Sequence, residues 1–207
     1  MAEEEMSAVK KPVGLRGRLT ARFMGFAHGK LYKAVAEQLA LTEEDEFIEI
    51  GYGSGMFIKK HASHVRMAAG VDISEDMVNM ANRFNRQMVE QGRADLRLGD
   101  VRDLEWPDGS FSAAGTVESF FFWPEPVACL KEVHRVLKPG GRLVIGITAN
   151  KDDKRDFSKV AKQKGFALYG CDDIVGMTKE AGFRECIITR RKMGGGVVNA
   201  IIAKALK

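Results

Sequence analysis

Apolar residues recur along this chain with two different periods. Near the start the spacing is helical. In "LRGRLTARFMGF" Leu15, Leu19 and Phe23 return every fourth position, and in "KLYKAVAEQLAL" Leu31, Ala34, Val35 and Leu39 share one face. From Phe47 onward short apolar runs alternate with helical stripes. "EFIEIG" is expected as a strand, Met56–Val65 as a helix and "MAAGVDI" as a second strand. Ser74 should cap the next helix, with Glu75 and Asp76 complementing its dipole and Met77, Met80, Ala81, Phe84 and Met88 forming its inner stripe. "ADLRLGD" and "FSAAGTV" follow as the third and fourth strands. Pro126 opens a helix that "KPGG" ends, and "RLVIGIT" is the fifth strand. Such alternation predicts an α/β fold with a parallel sheet and helices on both faces. The end differs: "FRECIITRR" and "VVNAIIAKA" are joined directly by "KMGGG", a hairpin, so the sheet should finish with an antiparallel strand.

Composition narrows the setting. A length of 207 residues suits one domain spanning 1–207, with a core over 45–207 and an N-terminal helical segment over 15–40. The net charge of +4 permits an anionic partner without demanding one. Cys129, Cys171 and Cys186 show no C-x-x-C spacing, which argues against a disulfide framework or a zinc ribbon and for a cytoplasmic setting. "MAEEEMSAVKK" lacks the apolar core of a secretory signal, and no membrane span is expected. His61 and His64 lie one helical turn apart but have no visible third ligand, so no metal site is expected; His134 is expected to be structural.

The chemistry concentrates after the first strand, in "FIEIGYGSGMF". Gly51, Gly53 and Gly55 occupy alternate positions, a density with a conformational cost that implies close approach of the backbone to something. The spacing differs from the dinucleotide fingerprint G-x-G-x-x-G, and no Gly-Lys-Ser/Thr follows to make a phosphate loop. Asp72, at the end of the second strand and 21 residues after Gly51, is placed to accept both hydroxyls of a ribose. Asp100, in "LGDV", is placed to accept from an adenine amino group and Val101 to offer its N–H to a ring nitrogen. Ile73 and Met77 would enclose the adenine.

Taken as a set, these segments resemble the class I S-adenosylmethionine (SAM)-dependent methyltransferases, in the small-molecule branch that includes quinone-biosynthesis enzymes. "EIGYGSG" is similar to the family's E/D-x-G-x-G-x-G loop, "GVDIS" to its ribose-binding acid and "GDV" to its adenine contact. "FSAAGTVESFFFWPEP", "CLKEVHRVLKPGGRLVI" and "EAGF" extend the resemblance over about residues 45–207. It implies a Rossmann-like seven-stranded sheet, an N-terminal helical lid over the cofactor, and SAM with S-adenosylhomocysteine as product. The cofactor contacts carried over are Glu49, Gly51, Tyr52, Gly53, Gly55, Asp72, Ile73, Met77, Asp100, Val101 and Glu118.

Methyl transfer from a sulfonium needs alignment and a dry site, and a proton acceptor only where the methyl acceptor must be deprotonated. Glu118, after the fourth strand, is a candidate base or cation contact. His28, in the joint "MGFAHG", is the other catalytic candidate. Phe26, His28, Tyr32, Phe122 and Trp123 are the candidate acceptor pocket, with one or two aromatics of "FFFW" expected in the core. The expected function is methylation of a small molecule. The alternatives are RNA methylation, suggested by Lys10, Lys11, Arg16, Arg18 and Arg22, and SAM binding without turnover.

Overall fold

The computed structural model describes residues 29–193, 196 and 198–207. His28, Phe26 and the helical stripe from Leu15 to Phe23 lie outside the described residues. The elements are α1 (Gly29–Leu39), β1 (Glu46–Ile50), a π-helical turn (Ile58–Ala62), β2 (Met67–Asp72), α2 (Glu75–Phe84), α3 (Arg86–Glu90), β3 (Ala94–Leu98), β4 (Phe111–Val117) and a 3-10 turn (Phe120–Phe122). They continue with α4 (Pro126–Val136), β5 (Leu137–Ile147), α5 (Ser158–Lys164), α6 (Cys171–Glu180), β6 (Glu185–Met193) and β7 (Val198–Leu206).

The strands form one seven-stranded sheet in the order β3-β2-β1-β4-β5-β7-β6. Strands β1 to β5 pair in parallel, and β7 inserts antiparallel between β5 and β6. The central strands are mostly apolar because both faces are covered, with Glu49 and Thr116 as buried polar exceptions. On one face Ile48, Ile145, Leu130 and Val133 pack together; on the other Phe47, Val144, Leu31, Val35 and Leu39 do so. The order reverses between β1 and β4, which opens a crevice at the carboxyl ends of β1, β2 and β4.

The expected N-terminal lid divides at its described part. Helix α1 buries Leu31, Val35 and Leu39 against the sheet, and each such side chain contributes about 1.5–3 kcal/mol. Its approach is close: a methyl group at Gly146 would lie 2.4 Å from Val35. Arg142 of β5 fastens the far end, donating to the Leu39 and Ala40 carbonyls and pairing with Asp45 at 2.9 Å. Residues 29–39 are therefore core.

Three other elements differ from expectation. The expected single helix after Ser74 is two, broken at Asn85, whose amide donates to the Gly55 and Ala81 carbonyls (3.1 and 3.0 Å). Its side chain thereby competes with continued helix. The helix expected over Met56–Val65 is shortened to residues 56–62, of which Ile58–Ala62 is π-helical. Strand β5 begins at Leu137, inside the run expected to end α4, because Leu137 pairs with Phe111 before the register shifts to Ala113 and Arg142.

Candidate functional site

The crevice is built on the alternation of glycines after β1. Gly51, Gly53 and Gly55 have φ of +70°, +52° and +71°, left-handed values costly for any other residue. Two of them also meet neighbours. A methyl group at Gly51 would fall 2.0 Å from Ser119 Oγ, and one at Gly55 would fall 2.8 Å from Ala81 Cβ. At Gly53 it would meet nothing within 4 Å. Gly53 is thus bare toward open space, which fits a bound group passing beside it. Tyr52 turns the other way: its ring is buried beside Gly70 and its hydroxyl donates to the Arg97 carbonyl (2.9 Å). Its contribution to the crevice is backbone.

Asp72 ends β2 directly across from this loop. Its Oδ2 accepts from the Gly53 N–H at 2.8 Å and its Oδ1 from the Ser74 N–H at 2.9 Å. Burial raises its pKa, and these two amides oppose the rise. Each carboxylate oxygen keeps a further acceptor site, so hydroxyl donors can be added to the arrangement. Ile73 is 44 % exposed beside it, an apolar ledge, while Met77 is fully buried below. Leu98 at the end of β3, 53 % exposed, extends the ledge and escaped sequence reasoning; its place at a strand's carboxyl end is the signal that would have found it. Asp100 is clasped by Arg102, through two guanidinium contacts (3.0 and 2.8 Å) and the backbone amide (2.9 Å). Val101 beside it is buried.

Beneath the loop lies Glu49, 2 % exposed, with Oε2 buried and lacking any hydrogen-bond partner. Burial first, and the charge of Asp72 second, hold its pKa well above the usual carboxylate range. A buried acceptor without a donor is expensive, so this oxygen fits an ammonium group arriving from the crevice.

Glu118 stands at the opposite wall, where β4 ends. Its φ of +57° is unusual for a residue with a side chain. The turn points its carboxylate at Thr148, whose N–H and hydroxyl hold the two oxygens, the latter at 2.8 Å. Burial pushes its pKa up to about 7, against the pull of those two bonds. Tyr32 lies close enough that Glu49 and Glu118 both add to the rise that burial causes in its pKa. Sequence reasoning missed Thr148 and Ser119, both of which brace this wall.

The remaining candidates spread apart. Tyr32 is buried edge-on to Phe57 (5.5 Å), near enough to Glu49 and Glu118 to feel both charges. Trp123 is in the core, edge-on to Phe120 (5.1 Å), with its indole N–H toward Ser119 Oγ (3.3 Å). Phe122 is half-buried between Phe121 and Phe166. His61 packs on Phe57, His64 bonds the Leu41 carbonyl and His134 meets Phe183 edge-on.

Residues 48–145 match the family described as methyltransferase domain. Among curated proteins, the chain is 31% identical over 118 residues to 27-O-demethylrifamycin SV methyltransferase of Amycolatopsis mediterranei, covering 56% of this chain and 43% of that one. It is 24% identical over 164 residues to the O-methyltransferase cnsE of Penicillium expansum, covering 77% and 59%. The chain thus spans about half the length of these relatives. A SAM-dependent methyltransferase structure from Thermotoga maritima superposes with a TM-score of 0.74 over 93% of this chain and 97% of that one, at 22% identity, a likeness of fold. The family match over residues 48–145 and this likeness of fold agree with the sheet order and with the glycine loop after β1.

Proposed function

We propose that this chain transfers a methyl group from SAM to a small-molecule acceptor. The observation that carries the reading is the partnerless Oε2 of Glu49 beneath a glycine loop whose middle member faces open space. Glu49 would hold the ammonium, the Gly51–Gly55 backbone the methionine chain, Asp72 the ribose, and Ile73, Met77, Asp100 and Val101 the adenine. When bound, the cofactor supplies an electrophilic methyl on a good leaving group. The protein then needs chiefly to align the acceptor and exclude water.

Glu118 is the group we assign to a proton or a cation. A carboxyl poised near pH 7 can accept a proton from an acceptor hydroxyl or amine, and its Thr148 clasp fixes its direction. The acceptor pocket would lie between Glu118, Phe122 and Tyr32, with Phe26 and His28 contributed by the preceding segment as its lid. Trp123 would act through Ser119 by shaping this wall. A small-molecule acceptor agrees with the name of the rifamycin methyltransferase among the relatives. Action in the cytoplasm is supported by three free cysteines.

Calorimetry with S-adenosylhomocysteine tests the cofactor reading. Asp72→Ala removes an acceptor from two hydroxyls, worth about 1.5–3 kcal/mol for each bond to a charged group, so binding should weaken at least about tenfold. Unchanged affinity would take Asp72 out of the site.

A further inference from the structure

Residues 151–164, "KDDKRDFSKVAKQK", hold six basic residues against three acids, which concentrates three of the chain's four net positive charges. The three acids bond to backbone amides. Asp152 accepts from the Cys171 N–H (2.7 Å), Asp153 from the Arg155 N–H (2.8 Å) and from that of Asn199, and Asp156 from the Ser158 N–H (2.8 Å). Lys151 pairs with Asp173. The other five cations, Lys154, Arg155, Lys159, Lys162 and Lys164, are exposed and make no ion pair among the described residues. In their midst Val160 is 41 % exposed, on a helix whose Ala161 faces the fold.

The patch is fixed to the site's rim. Phe166 packs on Phe121 (4.7 Å), and the Ala167 N–H donates to the Phe121 carbonyl (3.0 Å). Those contacts tie α5 to the turn that follows Glu118.

We infer that α5 and its flanks are a docking surface for an anionic lipid bilayer. The surface offers unneutralised cations around an exposed aliphatic group, and a bilayer interface accepts both at once. Single-stranded nucleic acid would ask for open aromatic faces, and the Phe157 ring already carries the Arg155 guanidinium at 5.5 Å. Docking is reversible and salt-sensitive, since each cation strengthens attachment about fivefold at an anionic surface. It would set the crevice mouth against a phase in which apolar small molecules collect.

The test is co-sedimentation of the full chain with vesicles of phosphatidylcholine and phosphatidylserine, against phosphatidylcholine alone, and needs no methyl acceptor. The wild type should sediment only with the mixed vesicles. Combined Lys159→Glu, Lys162→Glu and Lys164→Glu should weaken this by at least about 100-fold, from about fivefold for each of the three cations removed. Charge-matched Lys33→Glu, Lys131→Glu and Lys179→Glu, also exposed, should weaken it far less. Val160→Asp should weaken it with the helix intact by circular dichroism. Absence of sedimentation, or equal loss in both triple variants, overturns the proposal. So does an RNA oligonucleotide that the α5 triple variant releases while vesicle binding persists.

Discussion

Glu49 and the three glycines make separable claims about single atoms. Gly53→Ala meets no neighbour, so it should cost only the left-handed strain of about 1–2 kcal/mol while sharply weakening S-adenosylhomocysteine. Gly51→Ala collides with Ser119 and should cost about 1–3 kcal/mol more from overpacking. Urea denaturation beside calorimetry reads both; equal stability losses would mean that the two glycines face similar space. Glu49 adds a linkage. Its pKa is raised without a cation, and an ammonium favours its ionised form, so binding should expel a proton. Affinity should therefore rise with pH until the free enzyme's own Glu49 ionises. Titrations in two buffers of different ionisation enthalpy should give different heats, and Glu49→Gln should erase the difference. Buffer-independent heat in the wild type would refute the linkage.

At the scale of elements, the far end of α1 is fastened by one side chain. Arg142 joins the carbonyl end of that helix to Asp45 through a pair that is mostly buried. Arg142→Ala strands a buried carboxylate and should cost about 3–5 kcal/mol by denaturant unfolding. Burial lifts the Asp45 pKa, but bonds from Arg142, Ser112 and Thr42 overcome it and leave it lowered. The contribution is therefore present at neutral pH and lost as pH falls below the ordinary carboxylate range, through the folded value. A variant whose deficit stays constant into acid would contradict this. The legibility of the elements followed the same logic. "FSAAGTV" coincides with β4 because a strand covered on both faces needs only an apolar run between polar ends. The break at Asn85 was hidden because it answers to the Gly55 carbonyl thirty residues away. Helices α5 and α6 bury few apolar side chains, among them Ala161 and Ile174, so little period was there to detect. The positions of Asp72, at the end of β2, and of Asp100, two residues past β3, were legible because a doubly wound sheet brings its strand ends to one crevice. Thr148 and Ser119 were not, since a left-handed turn at Glu118 decides what they touch.

Over the whole molecule, the crevice joins parts that fold together, so ligand binding should register as global stability. At about 100 times its Kd, S-adenosylhomocysteine should add about 2.7 kcal/mol. For a domain of this size that is a rise in Tm of about 5–10 °C. Asp72→Ala, weakened at least about tenfold, should lose about half of it or more; an undiminished shift would point to binding elsewhere. The turn at Glu118 carries a different implication. Holding a side chain at φ +57° costs about 1–2 kcal/mol that glycine would not incur. Glu118→Gly sheds that strain and also the burial cost that lifts the carboxyl's pKa to about 7, so it should melt no lower than the wild type despite losing the Thr148 clasp, and on the proposed role it should lose methyl transfer. A selection for heat resistance alone would drift toward that sequence. On the role proposed for Glu118, the acid would stand as a compromise between durability and chemistry, localised to one backbone angle.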